Sequence, residues 1–369
     1  LKQSSRLWNE DLHGTLLNMD FARCRSDPCL YFKRRGSSLM LLLVYVDDMV
    51  VATNDGGLYQ ETLAGLQVEY EITEAADVCW VLGWHISIST PGIFVSQTSF
   101  TSSLLRKFGL MDSNAVCTPG VTTTPSPDPR HSHDSVAFTP SRFREAVGSL
   151  LFLTNCTRPD IAFAVGMVCR AMQDPTEEDW MKVKRILRYL VGTVSLGLWF
   201  RHQPSVEEGK PLLLSFTDSD WAGDLRGRRS TSGHVCFVCG APVSWSSRKQ
   251  SVVALSTMEA EYIAMTSAAR EVMSLRALLH ELGFPASNAM VFCDNSPALF
   301  LAENSVVTPK SKHIDIRFHF LRDICQRGLL TFKWIPSASQ IADVFTKYLQ
   351  RELFQRCVEK MMGLGDCEE

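Results

Sequence analysis

The chain has 369 residues, 45% of them hydrophobic, and a formal net charge of −3. That length exceeds what one ordinary core organises and predicts two or three domains. The near-neutral charge excludes a globally basic nucleic-acid binder, so any grip on phosphates must come from local patches.

The opening Leu-Lys-Gln-Ser-Ser-Arg has no apolar signal-peptide core, and the lack of an initial Met is read as the mark of a fragment of a longer polypeptide. Residues 4–35 predict a helix followed by an irregular stretch. Leu39–Tyr45 and Met49–Thr53 are apolar runs flanking Asp47 and Asp48, a β-hairpin with an acidic pair at its turn. The longest apolar run, Leu39 to Val46, is far below the roughly 20 residues that span a bilayer, so no membrane partner is expected. Residues 58–70 read as helix, Cys79–Ser89 and Gly92–Gln97 as a second hairpin around Thr90-Pro91-Gly92, and Gln97–Phe108 as an amphipathic helix.

Between 117 and 140 Thr, Pro, Ser and Asp dominate without an apolar period, which predicts a linker in which His131 and His133 are solvated. Residues 141–190 are patterned as helices, one opened by Arg158-Pro159-Asp160 and the next by Asp174-Pro175-Thr176-Glu177-Glu178. The latter carries Lys182, Lys184, Arg185 and Arg188, either a solvated face or one that tracks phosphates. From 212 onward the expected strands are Leu212–Thr217, Gly233–Cys239, Val243–Ser246, Ala289–Cys293 and Leu329–Ile335. The long helix Thr257–Leu282 and a last helix Ser339–Leu349 flank them, an α/β arrangement. Twelve Cys are scattered; Cys236 and Cys239, three apart in a strand, point to opposite faces and are read as thiols, in a reduced compartment.

Four carboxylates recur in the order Asp218, Glu259, Asp294, Asp343, from strand end, helix head, strand end and helix head. Such a set can converge at one end of a sheet. Mg²⁺ prefers hard oxygen ligands, and two ions about 3.5–4 Å apart serve phosphodiester hydrolysis by activating water and stabilising the leaving oxygen. Asp220, Asp224 and Glu261 remain alternative ligands, although Glu261, two residues past Glu259, is expected off that helix face.

The order strand-Asp, helix-Glu, strand-Asp, helix-Asp over about 212–350 resembles ribonuclease H. Five segments sharpen the resemblance to the copia-type retrotransposon branch: Asp218-Ser219-Asp220-Trp221-Ala222-Gly223-Asp224, Arg229-Ser230-Thr231-Ser232-Gly233, Glu259-Ala260-Glu261-Tyr262, Cys293-Asp294-Asn295 and Lys312-His313-Ile314-Asp315. Upstream, Tyr45-Val46-Asp47-Asp48, Leu1-Lys2-Gln3-Ser4-Ser5-Arg6-Leu7-Trp8, Asp27-Pro28-Cys29-Leu30-Tyr31 and Thr157-Arg158-Pro159-Asp160-Ile161 resemble the reverse transcriptase of the same elements and its connection region.

The resemblance implies an α+β palm remnant at 1–116 and a linker at 117–140. A helical connection follows at 141–205, then a ribonuclease H-like mixed sheet with helices on its faces at 212–350 and a tail at 351–369. It implies Asp218, Glu259, Asp294 and Asp343 as ligands of two Mg²⁺ or Mn²⁺ ions, with Asp218 bridging, and Asp47 and Asp48 as polymerase ligands. Arg226, Arg228, Arg229, Asn295 and the basic helix would contact an RNA–DNA hybrid, with template RNA and primer as partners of the full polyprotein. The site of action would be intracellular, cytoplasmic or nuclear, in virus-like particles if the element is active. A further polymerase Asp is expected upstream of Leu1, so this chain alone is not expected to extend a primer. The loop Ile335–Gln340 lacks the His of cellular ribonucleases H; His313 and His319 are weaker candidates. The alternatives are a catalytically decayed or domesticated nucleic-acid-binding remnant and, more distantly, a resolvase- or integrase-type nuclease.

Overall fold

The computed structural model describes residues 4–74, 80–122, 138–202, 211–287, 289–303 and 312–364. The chain divides into two compact units, Leu1–Leu82 with Ser274–Ala286, and Gly83–Met273 with Ser287–Glu369.

The first unit runs α1 (Ser4–Asn18), β1 (Ala22–Arg23), β2 (Leu30–Arg35), β3 (Ser38–Tyr45), β4 (Asp48–Thr53), α2 (Gly56–Glu69) and β5 (Trp80–Val81). Strands β1 to β4 form an antiparallel sheet in sequence order. Period-two alternation in β3 buries Met40, Leu42 and Val44 against Leu12 and Leu16 of α1 and Leu58 and Leu66 of α2. The Asp55 carboxylate starts α2 by accepting the backbone N–H groups of Gly57 and Leu58. β2 stands where the sequence predicts irregular chain. Its basic run disguises the alternation: Tyr31 and Lys33 both face inward, and the Lys33 ammonium reaches Glu61 at 3.4 Å.

The second unit begins with β6 (Trp84–Ser89), β7 (Gly92–Ser96) and α3 (Thr98–Lys107). Then come α4 (Pro140–Cys156), α5 (Ala162–Cys169), α6 (Glu177–Gly192) and β8 (Gly197–Arg201). The linker prediction falls largely on 123–137, which with His131 and His133 lies outside the described residues. β6, β7 and β8 pair antiparallel; β8 lies past the helical pattern of 141–190, within the stretch that the resemblance assigns to a helical connection. Thr176 and Asp179 form a capping box that starts α6.

The remaining elements are β9 (Leu213–Ser219), β10 (Thr231–Val238), β11 (Ala241–Lys249), α7 (Thr257–Glu281), β12 (Met290–Cys293), α8 (Ser296–Glu303), α9 (Lys312–Gln326), β13 (Thr331–Trp334) and α10 (Arg351–Met362). They build a mixed sheet of order β11-β10-β9-β12-β13, antiparallel through β9 and parallel from β9 to β13. This is the α/β architecture expected.

Its end differs from expectation. Where a helix over 339–349 is predicted, the chain makes 3-10 turns at Ser337–Ser339 and Ile341–Phe345. Residues 340–346 are all buried; a segment enclosed on every side has no polar face to offer an amphipathic helix. The helix comes instead at 351–362, where the sequence predicts a tail. It buries Phe354, Cys357, Val358, Met361 and Met362 on one stripe and ends at left-handed Gly363. Among the described residues no helix is long and apolar enough to cross a membrane.

Candidate functional site

Parallel pairing of β9 with β12 sets Phe216 against Phe292, so Asp218, still in β9, and Asp294, just past the end of β12, each two residues further on, stand at the same level. On the other side of β9, antiparallel pairing sets Asp218 opposite Gly233. A Cβ on Gly233 would lie 2.6 Å from Phe345 Cβ and 2.8 Å from Thr346 Cγ2. The missing side chain is what lets the 3-10 segment carrying Asp343 lie on the sheet beside Asp218. Gln340 pins that segment: its Nε2 donates to the Thr217 carbonyl at 2.9 Å, and its Oε1 accepts from Ala342 N at 3.1 Å. Gly233→Ala is therefore expected to destabilise the second unit by about 1–3 kcal/mol through overpacking, measured by urea unfolding. An unchanged midpoint would show that the segment yields without cost.

Asp218, Glu261 and Asp343 are 3%, 4% and 5% exposed; Asp294 is half-buried. The Thr346 hydroxyl donates to Asp218 Oδ2. The Ser337 hydroxyl donates to Asp294 Oδ2 at 2.6 Å. Glu261 Oε1 accepts the Ser219 N–H at 3.3 Å. Burial, then the charges of Asp218 and Asp294, hold the Glu261 carboxyl well above the usual carboxylate range. Burial and the Asp218 charge push Asp343 up to about 7 despite the neighbouring Lys347. Ligand atoms of Glu261, Cys293 and Asp294 lie within 4.8 Å of one another. The Cys293 thiol is raised by burial and by Glu261, so it stands there as a neutral, soft group beside hard oxygens.

The head of α7 departs from the sequence reading, which favours Glu259. The Glu259 carboxylate turns back and accepts the Leu255 N–H at 2.8 Å, while Ser256 Oγ accepts the Glu259 N–H at 3.2 Å. This is a capping arrangement that satisfies free donors at the helix start. Residues two apart on a helix lie on nearly opposite faces, so the face turned to Asp218 and Asp294 belongs to Glu261. The signal was in the sequence: Ser256-Thr257-Met258-Glu259 is the S-x-x-E pattern of a capping box.

The other acids have local partners. Asp220 accepts the Thr231 N–H, and Asp224 pairs with Lys249 at 3.2 Å. Asn295 caps α8, its Oδ1 accepting Ala298 N at 3.0 Å. Arg226, Arg228 and Arg229 are exposed in the loop between β9 and β10. The basic residues of α6 are half-buried and engaged. Lys182 pairs with Glu178 and Asp179, Arg185 donates to Thr118 Oγ1 at 3.1 Å, and Arg188 donates to the Asn114 carbonyl at 2.8 Å. Arg185 and Arg188 thus brace the fold, while Lys182 pairs within its own helix and Lys184 is half-buried. His319 is exposed on α9, and the side chain of His313 lies outside the described residues.

In the first unit Tyr45 pairs with Asp48, leaving Val46 and Asp47 as a two-residue turn in which Val46 takes φ +51°. Asp47 and Asp48 are exposed at the tip, and Trp8 Nε1 donates to the Val46 carbonyl at 2.8 Å. Among the described residues no third His, Cys or carboxylate joins them in a tight cluster.

A family model described as reverse transcriptase (RNA-dependent DNA polymerase) matches residues 1–122. The chain is similar to the retrovirus-related Pol polyprotein from transposon TNT 1-94 of Nicotiana tabacum, 34% identical over 367 residues, covering 97% of this chain and 27% of that protein. It is similar to a transposon Ty5-1 protein of Saccharomyces cerevisiae, 31% identical over 280 residues, covering 74% of this chain and 86% of that protein. The chain thus spans about a quarter of the length of the Pol polyproteins it matches. Among solved structures, a ribonuclease H1 isolated from compost by a metagenomic approach is 17% identical with a TM-score of 0.29, covering 40% of this chain and 99% of that one.

Proposed function

Because the chain belongs to the Pol polyproteins of copia-type retrotransposons, we propose that its second unit hydrolyses the RNA strand of RNA–DNA hybrids, with Asp218, Glu261, Asp294 and Asp343 as the ligands of two divalent ions. The observation that carries this is the convergence of three nearly buried carboxylates, from β9, α7 and the 3-10 segment, at the level of Asp294. Two carboxyls, Glu261 and Asp343, raised first by burial and then by neighbouring negative charge, mark a site short of positive charge. Their oxygens are the hard donors that Mg²⁺ or Mn²⁺ takes. When bound, such ions supply an activated water and stabilise the leaving oxygen.

The chain's own residues set up that chemistry. Thr346 and Ser337 orient Asp218 and Asp294 by donating to their carboxylates. Gln340 and Gly233 hold the Asp343 segment against the sheet. Exposed Arg226, Arg228 and Arg229 border the strand that carries Asp218 and are read as phosphate contacts, with sequence-independent grip on the hybrid. In the first unit, Asp47 and Asp48 are read as the part of a polymerase metal site that this chain carries, acting on template and primer in the full polyprotein inside the cell.

The test is cleavage of end-labelled RNA paired to DNA by residues 1–369. Cutting is expected with Mg²⁺ or Mn²⁺, none with excess chelator, and none of a DNA duplex. Chelator-resistant cleavage would sink the metal reading. A folded chain inert at millimolar Mn²⁺ would favour the decayed, binding-only alternative.

A further inference from the structure

One cation of the protein reaches the carboxylate cluster among the described residues. Lys347 Nζ lies 2.8 Å from Asp343 Oδ1 and 3.9 Å from Asp218 Oδ2. The backbone aims it there: Lys347 follows Asp343 by one turn, and its N–H donates to the Asp343 carbonyl at 3.2 Å. The side chain is 48% exposed while its two partners are 4% and 7% exposed, so the ammonium reaches in from solvent to oxygens that are otherwise shut away. These are oxygens assigned above to a divalent ion. An ammonium and a divalent cation cannot share them, since like charges at such distances repel strongly in a partly buried site.

We propose that Lys347 is a tethered cation that occupies the Asp218–Asp343 side of the cluster while no metal is bound and is displaced by the incoming ion, so that it sets the divalent concentration the site requires. The inference rests on the metal-site reading above. Burying several carboxylates without a counter-charge is costly. A tethered ammonium offsets part of that cost in the metal-free protein, and a long flexible stem lets it leave toward water. Lys347 thus competes with the ion for these oxygens and does not ligate it.

The test is Mn²⁺ binding to the full chain by isothermal titration calorimetry. A competitor that fills the site most of the time weakens apparent affinity by the fraction left open. Lys347→Met is therefore expected to bind Mn²⁺ roughly tenfold more tightly than the parent chain, and Lys347→Arg, which keeps the charge, to stay near the parent. Unchanged or weaker binding by Lys347→Met overturns the proposal. A second measurement needs no variant. Acetylation of the Lys347 amine, read by mass spectrometry, is expected to speed up severalfold when Mn²⁺ saturates the site, because the ammonium is then released. An unchanged rate overturns the proposal. If the parent chain binds Mn²⁺ and loses it in Asp218→Asn, the metal-site reading stands whatever Lys347 does. If the parent chain binds none, that reading falls and takes this one with it.

Discussion

Glu261→Gln is expected to lower hybrid cleavage by a hundredfold or more, while Glu259→Gln stays within about threefold of the parent chain. Groups that merely orient a metal ligand already cost roughly 10–100-fold when removed, so a direct ligand should cost no less. Glu261 is 4% exposed and faces Asp218 and Asp294, whose charges raise its carboxyl. The amide keeps its shape but cannot offer the charge. Glu259 has a different task, closing the helix start through the Leu255 N–H. Its amide can still accept that hydrogen bond, so the loss there should be a few tenths to about 1 kcal/mol of stability and little rate. The measurements are initial rates at saturating Mg²⁺ and the urea midpoint of each variant. The reverse pattern, an inert Glu259→Gln beside an active Glu261→Gln, would return the ligand role to Glu259.

The largest stability effect is expected at Asp160. Arg158 and Asp160 form an ion pair whose side chains are 1% and 0% exposed. The pairing is bidentate: Arg158 Nε donates to Oδ1 at 3.0 Å and Nη2 to Oδ2 at 2.8 Å. The rest of the guanidinium is spent on the Thr193 carbonyl and hydroxyl, and the Tyr189 hydroxyl donates to Asp160 Oδ2 at 2.7 Å. Asp160→Ala would leave a guanidinium buried without its counter-charge, at a cost of about 3–5 kcal/mol. Arg158→Met combined with Asp160→Leu removes both charges and should be clearly milder. Equilibrium unfolding in urea, followed on the second unit, compares the two. A loss under about 1 kcal/mol for Asp160→Ala would mean that water reaches the pair.

Much of this chain is legible in its one-dimensional pattern. The hairpin around Asp47 and Asp48, the order of the five-stranded sheet's elements and the long α7 all follow from period-two and helical alternation with turn residues between. Asp218 and Asp294 could be placed because a strand end is a local property. What depended on three dimensions was which partner a polar side chain takes. Arg158-Pro159-Asp160 reads as a helix opening, and only packing reveals it as a buried ion pair. The basic stripe of α6 reads equally as a nucleic-acid face, and only the neighbours at Asn114 and Thr118 decide that Arg185 and Arg188 brace the fold.

The same holds for the site. Glu259 and Glu261 are equivalent acids in a helical pattern, and their composition cannot rank them. The local demand of free N–H groups at the helix start claims the first, and the phase of the helix against β9 turns the second toward Asp218. Asp343 reaches the cluster from a 3-10 segment because Gly233, a strand away and more than a hundred residues earlier, leaves room for it. Sequence determined which carboxylates were available and on what elements. Tertiary structure decided which of them share one low-dielectric space, because helix phase, strand register and close approach are set by packing between distant segments and by no segment alone.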